Sequence, residues 1–355
     1  MARRTPRTRT RTWLRRLLGA LLALALPTGA AAGWVAYQHS YELREQRVTI
    51  TGGAQPLDGV LARPEGGDGP FGLVVFVHGD GPADATRDSF YRPIWESLAR
   101  AGYASLSWNK PGVGGAPGDW LDQSMDDRAA ETAAAIAWAR SQPGIDPGRI
   151  GLWGISQAGW VLPKVANRVP DVRFVIAVSP AVDWLRQGRY NLLAELADEH
   201  APQSRIDAEL ARRERVNDQL RKGATYEQAR AAVGADLGDL TPGRWRFIGR
   251  NFTADATADL AALKVPVLLV LGGRDRNVDV ADTESGYRRL LTGPGQLTVR
   301  SYPAASHSLA APGVEDDSLR GLLTAVAAPR SVYVDGYLDD LRRYLESVAP
   351  KAVRR

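Results

Sequence analysis

The residues best suited to chemistry surround Ser156. A β-compatible run, 150–153, leads to Gly154, Ser156 follows two positions later, and a helix-compatible run occupies 157–167. This order predicts a strand, a sharp turn and a helix, with the serine hydroxyl at the apex. Small residues suit such a turn because it leaves little room for side chains and can require a positive φ. The first amides of the helix would then point toward anything bound to that hydroxyl.

The turn departs at one position from the spacing G-x-S-x-G, which places a nucleophilic serine on a strand-to-helix elbow. The last position of the pattern is Ala158, and Gly159 follows it. Alanine is small enough for such a turn. On this stretch alone, an ordinary serine in a loop between a strand and a helix stays open as the alternative.

A serine hydroxyl becomes a useful nucleophile when a base takes its proton, and histidine can do so near neutral pH. The chain has four histidines. His39 borders an apolar N-terminal segment, and His200 lies in a charged helical segment. His78 lies on a glycine turn whose backbone matters more than its imidazole. His307, in a loop after the last predicted strand, is therefore the candidate base; its alternative role is that of a surface histidine.

The imidazolium formed during attack needs a carboxylate that orients and stabilises it. Asp275 is the candidate because it follows the apolar run 268–271 and two glycines at the end of a predicted strand. Asp279 and Asp282 are weaker rivals, since they fall later in the loop or in the next helix. A turn or helix-capping aspartate is the alternative for Asp275.

The oxyanion of a tetrahedral intermediate needs hydrogen-bond donors that are already aimed at it. The backbone N–H of Gln157, next to the serine, is the first candidate. The second is the backbone N–H of Asp80, in a glycine-rich loop, 78–82, that follows an apolar strand. The carboxylate of Asp80 would oppose an oxyanion, so we expect it to turn away from the site.

Short apolar runs alternate with helical runs along the chain. The predicted strands are 73–77, 103–108, 150–153, 174–178, 265–271 and 297–302, with antiparallel entry strands within 45–63. The predicted helices are 91–101, 125–141, 283–291 and 337–348. This alternation indicates an α/β fold, a mostly parallel twisted sheet with helices on both faces. The candidate residues fall in loops at the carboxyl ends of strands, where such a sheet forms its ligand crevice.

The composition changes between 183 and 259, where charged residues, alanine and leucine dominate. We interpret 183–259 as an inserted helical cap between two parts of a core, 45–182 and 260–350. The cap would set the substrate, and three tryptophans are candidates for an apolar substrate pocket: Trp160, Trp184 and Trp245. Packing in the core is the alternative for each of them.

The N-terminus differs in charge from the rest of the chain. Seven arginines lie within 1–16, interpreted as a basic cytoplasmic tail, and without them the 45 basic residues fall to 38, against 40 acidic residues. The remainder is near neutral and shows no basic stripe for a nucleic-acid partner. The absence of cysteine excludes thiol catalysis, disulfides and cysteine-ligated metals.

An uncharged segment, 17–37, follows the tail. It is just long enough to cross a bilayer as a helix, and the positive-inside rule would keep the arginines in the cytoplasm. The alternative is a cleavable signal peptide, with 17–26 as its apolar region and the alanines 30–32 as its cleavage site. Either interpretation exports the rest of the chain, as a single-pass cell-membrane protein or as a secreted or periplasmic one.

Four stretches together resemble the α/β-hydrolase superfamily, in its esterase and prolyl-oligopeptidase-like branch. They are 78–82 (HGDGP), 109–114 (NKPGVG), 154–160 (GISQAGW), and 273–275 (GRD) with 306–307 (SH). The chain order Ser, Asp, His is that of the superfamily. The resemblance covers about residue 45 onward. It implies an eight-stranded sheet, a triad of Ser156, His307 and Asp275, and no metal or organic cofactor.

We therefore expect an exported serine hydrolase that acts on a small-molecule ester or acyl substrate through an acyl-enzyme. A peptidase or amidase on the same triad is an alternative, although no acidic anchor for a substrate amine stands out in the cap. A catalytically silent envelope binding protein on this scaffold is an alternative of another class, since fold does not fix function. The presence of suitable residues at all three triad positions, in the expected order, argues against a catalytically silent protein.

Overall fold

The computed structural model describes residues 29–348, and its centre is an eight-stranded sheet. The strands are β1 (Leu43–Ile50), β2 (Leu57–Pro64), β3 (Phe71–Val77), β4 (Tyr103–Trp108), β5 (Ile145–Ile155), β6 (Val172–Val178), β7 (Val267–Gly272) and β8 (Leu297–Tyr302). Their order across the sheet is β1-β2-β4-β3-β5-β6-β7-β8. β2 pairs antiparallel with β1 and β4, and all other neighbours are parallel. The predicted, mostly parallel sheet with antiparallel entry strands is confirmed.

Strand β3 shows how the sheet divides the core into two layers. Leu73, Val75 and Val77 belong to one apolar cluster, and Val74 and Phe76 belong to the other. Successive side chains of a strand point to opposite faces, so a strand covered on both faces is apolar at every position. This explains why the run 73–77 lacks the alternation typical of a half-exposed strand.

Helices cover both faces of the sheet. One layer contains α3 (Met125–Ala139), α4 (Leu162–Arg168) and α10 (Val280–Leu290), and the other contains α2 (Arg92–Arg100) and α12 (Tyr337–Val348). α3 begins at a capping box in which the side chains of Ser124 and Asp127 each accept a hydrogen bond from the other residue's backbone N–H.

Four parallel strands end beside the predicted site residues. β3 leads into the loop 78–82, β5 into Ser156, β7 into Asp275 and β8 into His307. Since these strands run in the same direction, their loops lie at one edge of the sheet. The fold therefore brings together residues that are far apart in the sequence.

The segment between β6 and β7, predicted as a cap over 183–259, is helical. It contains α5 (Trp184–Asp198), α6 (Gln203–Arg221), α7 (Tyr226–Val233), α8 (Pro242–Asn251) and α9 (Thr257–Ala262). These five helices, which we refer to as the cap, have a small core of their own, made by Val216, Leu220, Ala229, Leu237 and Trp245.

The structure corrects the prediction that Trp245 lines a substrate pocket. Its side chain is buried in the cap core, and its indole N–H donates to the Ala224 carbonyl at 2.9 Å. The large indole fills the space between α6, α7 and α8. Burial in that small cluster leaves no face of the ring for a ligand.

The N-terminal predictions fall largely outside the described residues. The predicted tail, 1–16, lies outside them, as does 17–28 of the predicted anchor or signal segment. Residues 29–38 form a helix, α1. Within 29–348, no helix combines the length and apolar character needed to span a bilayer.

A helix that the sequence analysis did not predict lies near the carboxyl end. α11 (Ser318–Ala327) occupies the stretch between β8 and α12, and none of its residues is buried. Its apolar side chains face solvent, so it contributes nothing to the two layers of the core.

We expect Trp245→Ala to lower the free energy of unfolding of the cap by about 3 kcal/mol, because truncating a buried indole leaves a cavity. Limited proteolysis should then cut within 203–251 before the sheet core is cut. Trp184→Ala is the matched control, because it removes the same side chain from a half-buried position outside the cap core. Equal protease resistance of Trp245→Ala and the native protein would contradict the assignment.

Candidate active site

Strand β5 ends directly before Ser156, which lies on a strained turn. Ile155 is extended, Ser156 has φ of 57°, and a 3-10 turn, Ser156–Trp160, follows. A non-glycine residue rarely adopts positive φ, and such strain concentrates at functional sites. The helix predicted over 157–167 is corrected in its first part: α4 begins only at Leu162, with a proline in its first turn.

Two glycines and Ala158 make this turn possible. A Cβ added to Gly154 would lie 2.6 Å from the Ala158 Cβ, and one added to Gly159 would lie 2.5 Å from the Ala181 carbonyl oxygen. Gly154 therefore leaves room for the fully buried Ala158 methyl. Gly159, one position later, takes up the close approach to neighbouring backbone. The departure from G-x-S-x-G is accommodated for these reasons.

His307 and Asp275 are hydrogen-bonded to each other. His307 Nδ1 lies 2.7 Å from Asp275 Oδ2. The other oxygen, Oδ1, accepts the backbone N–H groups of Asn277 and Val278, each at 2.8 Å. Asp275 is only 5% exposed. Its carboxylate is thus held in one orientation, with an oxygen aimed at the imidazole.

The rival carboxylates are engaged elsewhere. Asp279 caps α10 by accepting the backbone N–H of Asp282 at 3.0 Å. Asp282 pairs with Arg186 of the cap at 3.0 Å. The choice of Asp275 over these two is consistent with the geometry.

Close packing of two loops fixes the His–Asp pair. Gly273 N–H donates to the Tyr302 carbonyl at 2.8 Å, and Arg274 N–H donates to the Ala305 carbonyl at 2.9 Å. A Cβ on Gly272 would lie 2.1 Å from the Ser306 carbonyl oxygen. Only glycine allows the loop after β7 to approach the loop after β8 this closely.

Ser156 and His307 line the same cavity, whose volume is about 590 Å³. Neither His307 nor any other described residue forms a hydrogen bond with the Ser156 hydroxyl. Catalytic hydrogen bonds are often long in a free enzyme and tighten when substrate binds. The arrangement therefore places the two residues at one cavity.

The predicted oxyanion donors lie beside the serine. A Cβ on Gly79 would be 3.5 Å from the Ser156 Cβ, so the loop 78–82 contacts the elbow. The backbone N–H groups of Gln157 and Asp80 donate to none of the described residues. Both residues line a cavity with Ser156. These two donors are therefore available to a developing oxyanion.

The carboxylate of Asp80 is held by two partners. Arg244 of α8 donates to both oxygens, at 2.9 and 2.6 Å, and Gln157 Nε2 donates at 3.0 Å. Burial raises the pKa of this carboxyl, but the hydrogen bonds and charge of Arg244 outweigh it and hold the pKa below its usual value. The negative charge near these two backbone N–H groups is thus offset by the Arg244 guanidinium.

Two of the three predicted tryptophans line a second cavity, of about 830 Å³, beneath the cap. Trp160 stacks on Trp184 with ring centroids 5.0 Å apart, and its indole N–H donates to the Val182 carbonyl at 2.8 Å. Ser156 lies on the wall of this cavity as well. The serine therefore sits between two cavities, one on each side.

A comparison with protein families identifies the chain. The sequence profile described as X-Pro dipeptidyl-peptidase (S15 family) matches residues 37–301, well over half of the chain. The chain belongs to the S15 family. It is a serine hydrolase, which confirms both the predicted resemblance and the prediction of an enzyme.

Solved structures share the fold of this S15 chain. An esterase from Pyrococcus furiosus has a TM-score of 0.56 at 18% identity, covering 87% of this chain and 92% of its own. The hyperthermophilic esterase from Pyrobaculum calidifontis has a TM-score of 0.54 at 16% identity, covering 90% and 88%. At such identities the likeness shows the α/β-hydrolase fold alone, and it confirms that part of the predicted fold class.

Curated relatives match shorter stretches. Thiohydrolase apmlB of Arthrinium phaeospermum is 27% identical over 133 residues, 35% of this chain and 41% of its own length. Thiohydrolase aneE of Aspergillus aculeatus is 43% identical over 49 residues, 14% and 15% of the two chains. The chain thus spans less than half the length of the curated relatives it matches.

The S15 chain also contains two buried basic side chains that the sequence analysis missed. Lys110 Nζ donates to the carbonyls of Gly79 and Gly81, at 2.6 and 2.7 Å. Arg128 of α3 donates to Gln157 Oε1 at 2.6 Å and to the His78 carbonyl. Burial lowers the pKa of the Lys110 ammonium and of the Arg128 guanidinium. The glycine-rich loop 109–114 was visible in the sequence, but nothing there assigned a partner to its lysine.

His78 has a structural role. Its Nε2 lies 2.7 Å from the Trp108 carbonyl and its Nδ1 lies 3.0 Å from the Tyr91 hydroxyl. Burial lowers the pKa of His78 to about 3, so the imidazole is neutral and fixes the start of the loop 78–82. His39 and His200 lie away from the elbow, the former against the Val326 carbonyl and the latter exposed at the end of α5.

We expect Gly272→Ala to slow labelling by a fluorophosphonate probe about 100-fold, because the new Cβ displaces the His307 loop from Asp275. Gly286→Ala in α10 is the matched control. A Cβ there meets only Val182, at 3.9 Å, and should be neutral or stabilise by up to about 1 kcal/mol. Equal labelling rates for the two variants would contradict this account of the loops.

We expect Arg244→Gln to slow labelling about tenfold, because the Asp80 carboxylate then opposes the oxyanion. The double variant Asp80→Asn/Arg244→Gln should recover most of the loss. Arg246→Gln removes a neighbouring arginine of α8 that pairs with Asp122 at 3.2 Å, and serves as the control. A double variant no faster than Arg244→Gln would exclude this role for the pair.

The same pair predicts a pH dependence. The pKa of Asp80 is lower in the folded protein than in the unfolded protein. The contribution of its ion pair with Arg244 to the free energy of unfolding is therefore complete above the unfolded pKa, and it is lost as the pH falls through the folded pKa. The difference in Tm between the native protein and Arg244→Gln should therefore shrink toward acidic pH. A Tm difference that grows as the pH falls would contradict this role of the Asp80–Arg244 pair.

Proposed function

We propose that this S15 chain cleaves a carboxylic ester through an acyl-enzyme, with Ser156 as nucleophile, His307 as base and Asp275 as the group that orients the base. The observation that carries the proposal is the 2.7 Å contact between His307 Nδ1 and Asp275 Oδ2 at a cavity that Ser156 also lines. The positive φ of Ser156 supports the proposal, because strained backbone conformations cluster at functional sites.

The chemistry would proceed in two halves. Ser156 Oγ attacks the carbonyl carbon while His307 Nε2 takes its proton, and the Asp275 carboxylate stabilises the imidazolium. The carbonyl oxygen becomes an oxyanion bound by the N–H groups of Gln157 and Asp80. The oxyanion collapses, the bond to the leaving group breaks, and His307 protonates that group. A water then attacks the acyl-enzyme by the same route and releases the acid and free Ser156.

An ester is preferred over a peptide because the cavity beneath the cap offers few carboxylates for a substrate amine. Asp80 is paired with Arg244, and Asp236 is paired with Arg215 at 2.6 Å. Asp239, also on the cavity wall, forms no ion pair with the described residues, but it is exposed. Family membership favours a second candidate, a peptidase acting at X-Pro sequences, for which Asp239 would be the amine anchor.

The proposed substrates include those whose leaving atom is sulfur. The matched relatives are named thiohydrolases, so we include thioesters in the proposed substrate class. Esters and thioesters would give the same acyl-enzyme, because the leaving group departs before water attacks. No metal or organic cofactor takes part in these steps.

We also propose that the catalytic part lies outside the cytoplasm, anchored in the cell membrane through 17–37 or released after cleavage. The support is the uncharged run itself and the seven arginines before it. Protease added to spheroplasts should digest the catalytic part if it is anchored, and the catalytic part should appear in the fraction released from the cells if it is cleaved; retention in the spheroplasts with complete protection until lysis would oppose export.

We expect Ser156→Ala to abolish covalent labelling by a fluorophosphonate probe, because the probe reacts only with an activated serine. Ser308→Ala is the matched control, since Ser308 lines the same cavity. Mass mapping of the labelled peptide identifies the modified residue. Labelling that persists in Ser156→Ala would show that another residue is the nucleophile.

A substrate panel separates the two candidate activities. p-Nitrophenyl esters and thioesters should be turned over, and Xaa-Pro p-nitroanilides should not. Hydrolysis of the anilides alone, reduced by Asp239→Asn, would establish the peptidase candidate and overturn the ester proposal.

A further inference from the structure

The described residues expose seven large apolar side chains. They are Trp34, Tyr37, Phe90, Leu319, Leu322, Leu323 and Val326, which we call the apolar patch; they are 41 to 67% exposed. Scattered apolar side chains are normal on a protein surface, but a concentration of them marks an interaction site. All seven belong to α1, to α11 or to the loop before α2, which adjoins α11 at a common cavity.

Helix α11 has an inverted amphipathic pattern. Leu319, Leu322, Leu323 and Val326 occupy positions i, i+3, i+4 and i+7, and therefore form one stripe along the helix. In a soluble domain such a stripe faces the core. Here the four residues are 45 to 64% exposed, and none of the helix is buried. The stripe thus lacks a partner among the described residues.

Helix α1 is attached to α11. Trp34 Nε1 donates to the Ala327 carbonyl at 2.7 Å, and His39 Nε2 lies 2.9 Å from the Val326 carbonyl. Arg330 donates to the carbonyls of Gln38 and Ser40, each at 2.8 Å. These contacts fix the end of α1 beside the stripe of α11, so the two helices present their apolar side chains together.

The chain that leads into the patch indicates its occupant. The uncharged run 17–37 ends in α1, and seven arginines precede that run. A chain that enters a bilayer here would bring the patch to the membrane surface. Tryptophan and tyrosine favour that interface because one end of each is apolar and the other is polar. An amphipathic helix such as α11 lies in the interface with its apolar face in the lipid.

The patch borders the catalytic cavity. Phe90, Leu322 and other residues of α11 line the cavity that also contains Ser156 and His307. A membrane that covers the patch would therefore meet the mouth of this cavity. An ester dissolved in the lipid could enter it without crossing water, which is the costly step for a long acyl chain.

We propose that the apolar patch lies in the surface of a lipid bilayer, and that the site of the proposed hydrolase takes its substrate, an ester with a long acyl chain, from the lipid phase. The second half of this proposal rests on the proposed hydrolase chemistry; the first half rests on the proposed membrane anchor and on the exposed apolar side chains, and not on that chemistry. Binding and turnover are therefore tested separately.

The absence of cysteine makes the binding test direct. A nitroxide is attached at Leu323→Cys, and in a control at Ser204→Cys, an exposed position of the cap helix α6. The full chain is placed in phosphatidylcholine–phosphatidylglycerol vesicles, and relaxation by oxygen is compared with relaxation by a water-soluble nickel chelate. We expect oxygen to dominate at 323 and the chelate to dominate at 204.

Two outcomes would overturn the membrane contact. Equal access of the chelate to both labels would place the patch in water. Shielding of the label at 323 from both reagents would mean that protein covers it, either the chain's own N-terminal segment or, if dipolar broadening between labels appears, a second copy.

The turnover test compares two triple variants. Leu319, Leu323 and Val326 are all changed to Gln in one and all to Met in the other, so that only the second keeps an apolar stripe. The ratio of kcat/KM for a long-chain ester in vesicles to that for a dissolved short-chain ester should fall about tenfold in the Gln variant and stay unchanged in the Met variant. An unchanged ratio in the Gln variant would overturn lipid-phase delivery. Failure of the native protein to hydrolyse either ester would instead remove the proposed function and leave the membrane contact standing.

Discussion

The site depends on how closely the loops after β7 and β8 approach each other. At Gly272 there is no room for a side chain, since a Cβ would lie 2.1 Å from the Ser306 carbonyl oxygen. Backbone hydrogen bonds then join the two loops and bring Asp275 to His307. The parallel sheet supplies the direction of both loops, and glycine supplies the final approach. An imidazole held by a buried carboxylate in this way keeps one ring nitrogen for the substrate.

A second constraint acts on the other side of the serine. Lys110 and Arg128 are buried and donate to carbonyls of the loop 78–82, so they hold in place the loop that would bind an oxyanion. A loop that is held in place before the reaction can present its N–H groups to a developing negative charge without reorganisation. Arg244 extends the same network into the cap through Asp80. The cap therefore contributes to the electrostatics of the site as well as to the walls of its cavities.

The sequence predicted correctly the bounds of those elements that depend mainly on neighbouring residues. The strand β8 and the helix α12 have the predicted bounds, because each has its own hydrophobic period and flanking breakers. β5 starts at Ile145, five residues before its predicted start, since Pro147 and Gly148 resemble a turn although the strand resumes its pairing with β3 beyond them. The Asp80–Arg244 pair joins residues 164 positions apart and leaves no trace in either local sequence. The catalytic candidates could be predicted from the sequence because the chain has few histidines and because the ends of strands are recognisable.

The most direct test of the central claim observes the proton between His307 and Asp275. Proton NMR of the native protein should show a strongly deshielded imidazole N–H resonance, because a short hydrogen bond to a buried carboxylate deshields that proton. The resonance should disappear in His307→Ala and in Asp275→Asn, while the fold is retained in the second variant. Its absence from the native protein, or its survival in folded Asp275→Asn, would contradict the pairing from which the acyl-transfer chemistry is derived.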